Sequence, residues 1–115
     1  MTPKEIDAFC SSLPGAVRSI QWKGVIVFKL GGVLFAMMSS YDADQPRELW
    51  FKAAPEHYDV LSRSTGFRPA RPRLKWVALD DPKAVTASEL KAYLRRAHAV
   101  IASGLSKKKR TQLGV

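Results

Sequence analysis

Two short glycine-bearing breaks, Lys23-Gly24 and Gly31-Gly32, divide residues 17–39 into three runs of β-branched and aromatic residues, and they limit the fold more tightly than any other feature. The runs are "AVRSIQW", "VIVFKL" and "VLFAMMS". Glycine reaches the positive φ that a two-residue hairpin turn demands, so runs separated in this way pair with their neighbours. The pattern predicts three antiparallel strands at about 17–22, 25–30 and 33–39. A polar loop, "SYDADQP", follows, and "ELWFKA" predicts a fourth short strand.

Helical signals flank these strands. In "TPKEIDAFCSSLPG", Thr2 is an N-cap, Pro3 occupies the first helical position and Glu5 can reach back to close a capping box. Ile6, Phe9 and Cys10 or Leu13 fall at helical spacing, and Pro14-Gly15 ends the helix. "PEHYDVLSRST" predicts a second helix of about two and a half turns, with Tyr58 and Leu61 inward and Gly66 past its end. The longest helix is "TASELKAYLRRAHAVIASG", where Thr86 and Glu89 repeat the spacing of Thr2 and Glu5. Its buried stripe is Leu90, Tyr93, Leu94, Ala97 and Ile101, and Gly104 suits the C-cap. The tail "LSKKKRTQLGV" is basic and is expected to fray, with Leu105 as its one docking residue.

Between the second and third helices lies "FRPARPRLKW". Pro69 and Pro72 cannot donate to a ladder, so 67–72 is expected to be extended but poorly paired. From Arg73 the residues alternate, with Arg73, Lys75 and Val77 on one face and Leu74, Trp76 and Ala78 on the other. That predicts a fifth, half-buried strand with Trp76 against the long helix. "LDDPKAV" reads as a turn.

The chain has 115 residues, enough for one domain with a core of its own. Its 19 Lys and Arg face 10 Asp and Glu, a net charge of +9 that favours anionic partners. Cys10 is the single cysteine, which excludes an intramolecular disulfide and fits a reducing cytoplasm. The first twenty residues include Glu5 and Asp7 and lack the apolar run of a signal peptide, and nowhere are there 18 consecutive apolar residues.

The order helix, hairpins, helix, strand, long helix carries three local patterns. They are "LPGA" after the first helix, "LKWVAL" before the last, and a last helix ending in "GLSKKKR". From Leu13 to Arg110 this arrangement resembles the MmcQ/YjbR family of small bacterial proteins. The resemblance implies a two-layer α+β fold of the CyaY-like kind: an antiparallel sheet, of about five strands on the reading above, with N-terminal, middle and long C-terminal helices. It also implies a single domain over 1–115 with a basic tail from about 105. Members are commonly labelled DNA-binding through a double wing of hairpins and basic surface, and the resemblance brings no catalytic residue. Frataxin-type iron binders of related fold cluster carboxylates on an early helix, whereas here that helix has Glu5 and Asp7 alone.

The candidate binding residues lie in two acid-free zones that hold twelve of the 19 cations. The first runs between Asp59 and Asp80 and contributes Arg68, Arg71, Arg73 and Lys75, with Arg63 beside them. The second follows Glu89 and contributes Lys91, Arg95, Lys107, Lys108, Lys109 and Arg110, with Arg96. Lys91, Arg95 and His98 are spaced to share one helical face apart from the buried stripe. Several cations converging on a nucleic-acid backbone would bind phosphates. A solvated basic face is the alternative. The glycine tips serve the turns, and the aromatics, Trp22, Trp50 and Trp76 among them, are read as core, although adjacent Trp50 and Phe51 must point to opposite faces.

Nothing in the residues composes a reactive site. Cys10 joins an apolar helix face, His57 and His98 have no ligand partner at metal-binding spacing, and Asp80-Asp81 and Asp42/Asp44 read as turn and loop. The expectation is a cytoplasmic, monomeric, non-catalytic protein without cofactor, metal or membrane contact. Its expected partner is nucleic acid, DNA ahead of RNA, bound without sequence preference. The alternative is a protein-interaction module, chaperone-like, docking an acidic partner.

Overall fold

The computed structural model describes residues 1–22, 24–39 and 48–115. The expected loop at 40–46, with Asp42 and Asp44, and the turn residue Lys23 lie outside them. Helix α1, Pro3–Ser12, opens with the expected capping box: the Thr2 amide donates to Glu5 Oε1 at 2.9 Å and the Glu5 amide to Thr2 Oγ1 at 3.1 Å. Strands β1 (Val17–Gln21), β2 (Val25–Leu30), β3 (Val33–Ser39) and β4 (Leu49–Lys52) follow. Then come α2 (Tyr58–Leu61), β5 (Phe67–Arg71), β6 (Trp76–Leu79), α3 (Ala87–Ser103) and α4 (Lys107–Leu113). The six strands form one sheet in the order β1-β2-β3-β4-β6-β5, with every neighbouring pair antiparallel.

The register sorts the side chains onto two faces. Ile26, Phe28, Ala36, Met38, Leu49, Phe51, Val77 and Leu79 share one face and pack with Ile6, Cys10, Leu90, Leu94 and Ala97 of the helices. A register slip between Phe28 and Lys29 bulges the sheet, so that consecutive Phe35 and Ala36 both enter this core. The opposite face carries Val27, Lys29, Leu34, Met37, Trp50, Lys52, Trp76 and Ala78, none of which belongs to the helix-packed core.

Several expectations are corrected. Residues 67–71 are a paired strand, β5, which makes six strands where about five were expected; Pro69 is tolerated because β5 is an edge. Arg73 and Lys75 are not strand residues. Pro72 starts a single 3-10 turn through Leu74, and Lys75 closes it in the left-handed region at φ 58°. Trp76 is buried, at 5% exposure, but on the face away from α3, opposite Lys52 and Arg71. All four residues of β6 are apolar and buried, so alternation could not say which pair meets the helices. Val77 and Leu79 do so because their β4 partners, Phe51 and Leu49, do.

Helix α2 is one turn rather than two and a half. His57 makes no side-chain capping bond, and the Ser62 and Ser64 hydroxyls take up the carbonyls of Asp59 and Val60, which favours turns over helix. The tail does not fray. Ser106 caps α4 by accepting from the Lys109 amide at 3.2 Å, and Leu105 and Leu113 hold the helix to the sheet. Their seats are Gly31 and Gly15, both at positive φ. A Cβ on Gly31 would stand 3.0 Å from the Leu105 methyls, and one on Gly15 2.9 Å from Leu30 and 3.2 Å from Leu113. Among the described residues no helix is long and apolar enough to cross a membrane.

Candidate nucleic-acid interface

The two basic zones are brought together only in part. In the first, Arg68 is taken up by acids: its guanidinium bonds Glu48 and, at 3.0 Å, Asp80, and these partners raise its pKa. Lys75 turns its Nζ over the Tyr58 ring, 4.9 Å from the centroid. Arg71 and Arg73 are exposed. In the second zone, Lys91 and Arg95 lie over the Phe9 ring of α1 at 5.8 and 5.2 Å, on the helix side of the molecule. Arg95 and Arg110 border a shallow hollow of about 560 Å³ between α1, α3 and α4.

His98 borders the same hollow as Arg95 but is not an exposed member of that basic face. It is buried, its Nε2–H donates to the Pro14 carbonyl at 2.7 Å, and the Phe35 ring meets it edge-on at 5.5 Å. Lys107 and Lys108 are exposed on α4, while Lys109 Nζ donates to the Gly31 carbonyl at 3.1 Å, at the β2–β3 turn.

The open sheet face gathers residues that the charge runs did not single out. A cleft of about 710 Å³ is bordered by Lys29 of β2, Lys52 of β4 and Arg71 of β5, with Leu34, Met37 and Trp76 between them. Trp22 and Leu74 stand at its margin, 61% and 51% exposed. No carboxylate borders the cleft among the described residues. Lys52 donates to the Leu74 carbonyl, and its pKa is lowered by burial and by the nearby charge of Lys75. Lys29 and Lys52 were missed because each is an isolated cation in an apolar strand. The signal was present in the alternation: in "VIVFKL" Lys29 shares a parity with Val27 and opposes Phe28, and in "LWFK" Lys52 shares one with Trp50 and opposes Phe51.

Burial, with help from the negative charge of Asp7, pushes the Cys10 thiol up to about 12, so it stays protonated and unreactive. Asp7 itself pairs with Arg18 at 2.8 Å. His57 is exposed at the start of α2. Among the described residues no three His, Cys, Asp or Glu side chains gather as a metal site requires.

The YjbR family profile matches residues 11–100, from the end of α1 through most of α3. The chain belongs to the YjbR family. All the cleft's cations and tryptophans fall within the YjbR match, whereas α4 lies beyond it. This YjbR chain is similar in fold to the Deinococcus radiodurans protein DR2400, which carries a DUF419 domain. The TM-score is 0.82 at 24% identity, over 99% of this chain and 88% of that one. It is also similar to a Pseudomonas syringae protein, with a TM-score of 0.69 at 14% identity over 88% of this chain and 99% of that one. Both likenesses concern the α+β fold. No curated protein matches the chain.

Proposed function

We propose that the protein is a non-catalytic nucleic-acid-binding protein whose open-face cleft receives the phosphate backbone. The observation that carries this reading is the convergence of Lys29, Lys52 and Arg71 on one concave surface bordered by no carboxylate among the described residues. A net charge of +9 supports it by drawing polyanions to the surface. Arg73, two residues beyond Arg71, and Lys109, at the turn whose Gly32 borders the cleft, extend the basic rim. Lys91, Arg95 and Arg110 belong to the helix side and lie outside this interface. Cations that meet phosphates position a strand without reading its sequence, so binding is expected to be sequence-independent.

A titration with DNA and RNA across a salt series tests the reading. Three phosphate contacts give a slope of log K against log salt of about −2 to −3. Loss of all binding at low salt, where the attraction is strongest, would rule it out. One observation favours a protein partner instead: the edge strand β1 exposes Val17 and Ile20. A stoichiometric complex with an acidic polypeptide, formed in place of any nucleic-acid complex, would select that reading.

A further inference from the structure

Trp22 is held where neither packing nor backbone comfort explains it. It is 61% exposed, so its indole contributes little buried surface, and its φ of 45° lies in the left-handed region that glycine or asparagine occupies at lower cost. Strain held at an exposed aromatic directs attention to what the aromatic can bind. Its ring borders the cleft that also holds Met37, Leu34 and the three cations.

A surface of this mixed kind suits a particular anion. A duplex turns phosphates and sugars outward and seals the flat faces of its bases within the stack. It could satisfy Lys29, Lys52 and Arg71 but would leave Trp22 and the apolar floor facing water. An unpaired nucleotide presents both parts together, a phosphate for the cations and a base whose π-face lies on an indole. The cleft's volume, about 710 Å³, falls within the range of sites that enclose a small ligand, the scale of a nucleotide rather than of a double helix. Lys91 and Arg95 do not add to a duplex footprint here, because they lie over Phe9 of α1 and do not border the cleft.

Resting on the nucleic-acid reading above, we infer that the cleft takes single-stranded rather than duplex nucleic acid, with Trp22 as the platform on which an unpaired base stacks. The test is a fluorescence-anisotropy titration at fixed low salt with three labelled probes of equal length: oligothymidine, a duplex, and an abasic strand with phosphates but no bases. Oligothymidine is expected to bind about tenfold more tightly than either of the others. Trp22→Asn, which suits the left-handed backbone, is expected to abolish that margin, and Trp22→Phe to restore most of it. Neither should change affinity for the abasic strand. Equal affinity for all three probes, or a margin that survives Trp22→Asn, overturns the single-strand inference and leaves the phosphate reading standing. Absence of binding to every probe overturns both.

Discussion

The two faces of the sheet are built from the same strands and serve opposite ends. From β2, Phe28 enters the core while Lys29 borders the cleft; from β4, Phe51 and Lys52 divide in the same way. On the helix face the largest side chains are sealed from water against Ile6, Leu90 and Leu94. On the other face aliphatic and aromatic groups are interleaved with cations. Neighbouring residues thus differ in role because successive Cβ atoms point to opposite sides of a strand. Stability and the proposed binding therefore reside in different side chains, and substitutions should separate them.

The largest effect is expected from Phe28→Ala. It removes a fully buried ring from between the sheet and helices and should cost about 3–5 kcal/mol in denaturant unfolding. Trp76→Ala removes a comparable bulk from the open face. It should cost less, about 3 kcal/mol at most, because Lys52, Arg71 and Leu74 around it are side chains that can close over the gap. Equal costs would mean that the open face is a second core, and the comparison would fail.

Next is a pH effect confined to the helix face. Burial raises Cys10 from the ordinary value of 9.0 to about 12, so the folded protein keeps a proton that the unfolded chain releases. Stability linked to this thiol is intact below about pH 9 and falls as pH rises toward 12, since the unfolded state then binds fewer protons. Cys10→Ala should flatten that part of the stability curve. An unchanged slope, or rapid alkylation of native Cys10, would show a face less sealed than its packing implies.

Arg71→Glu probes the open face alone. It should change unfolding stability by less than about 0.5 kcal/mol, as an exposed substitution does. The same change should weaken nucleic-acid binding about tenfold or more by turning an attraction into a repulsion. The smallest effect is expected from replacing Lys107 and Lys108 by Ala. Both are exposed on α4 away from the cleft border, so stability should hold and the salt slope should change by less than about 1. A loss as large as that of Arg71→Glu would move the interface to α4.

The candidate site was less legible than the fold. Arg71 was evident as one cation in a basic run, but Lys29 and Lys52 join it only because β2, β4 and β5 lie in one sheet. Arg68 looked as available as Arg71, until Glu48 and Asp80 were brought to it from distant parts of the chain. His98 had the spacing of an exposed neighbour of Lys91 and Arg95, yet the Pro14 carbonyl and the Phe35 ring take it inside.

The sequence by itself determined the features that depend on a few neighbouring residues. The Gly31-Gly32 turn sets the β2–β3 hairpin, Thr2 and Thr86 cap their helices, and Leu90, Leu94 and Ala97 repeat at the spacing that buries one side of α3. These are backbone preferences and short-range hydrogen bonds, and they are written locally. Only the tertiary structure decided that β5 pairs with β6, that Val77 rather than Trp76 faces the helices, and that α4 docks on Gly15 and Gly31. Each of those choices depends on a partner far along the chain. An apolar residue is equally content against any apolar surface, so which surface it meets is settled by register and packing rather than by its own neighbours.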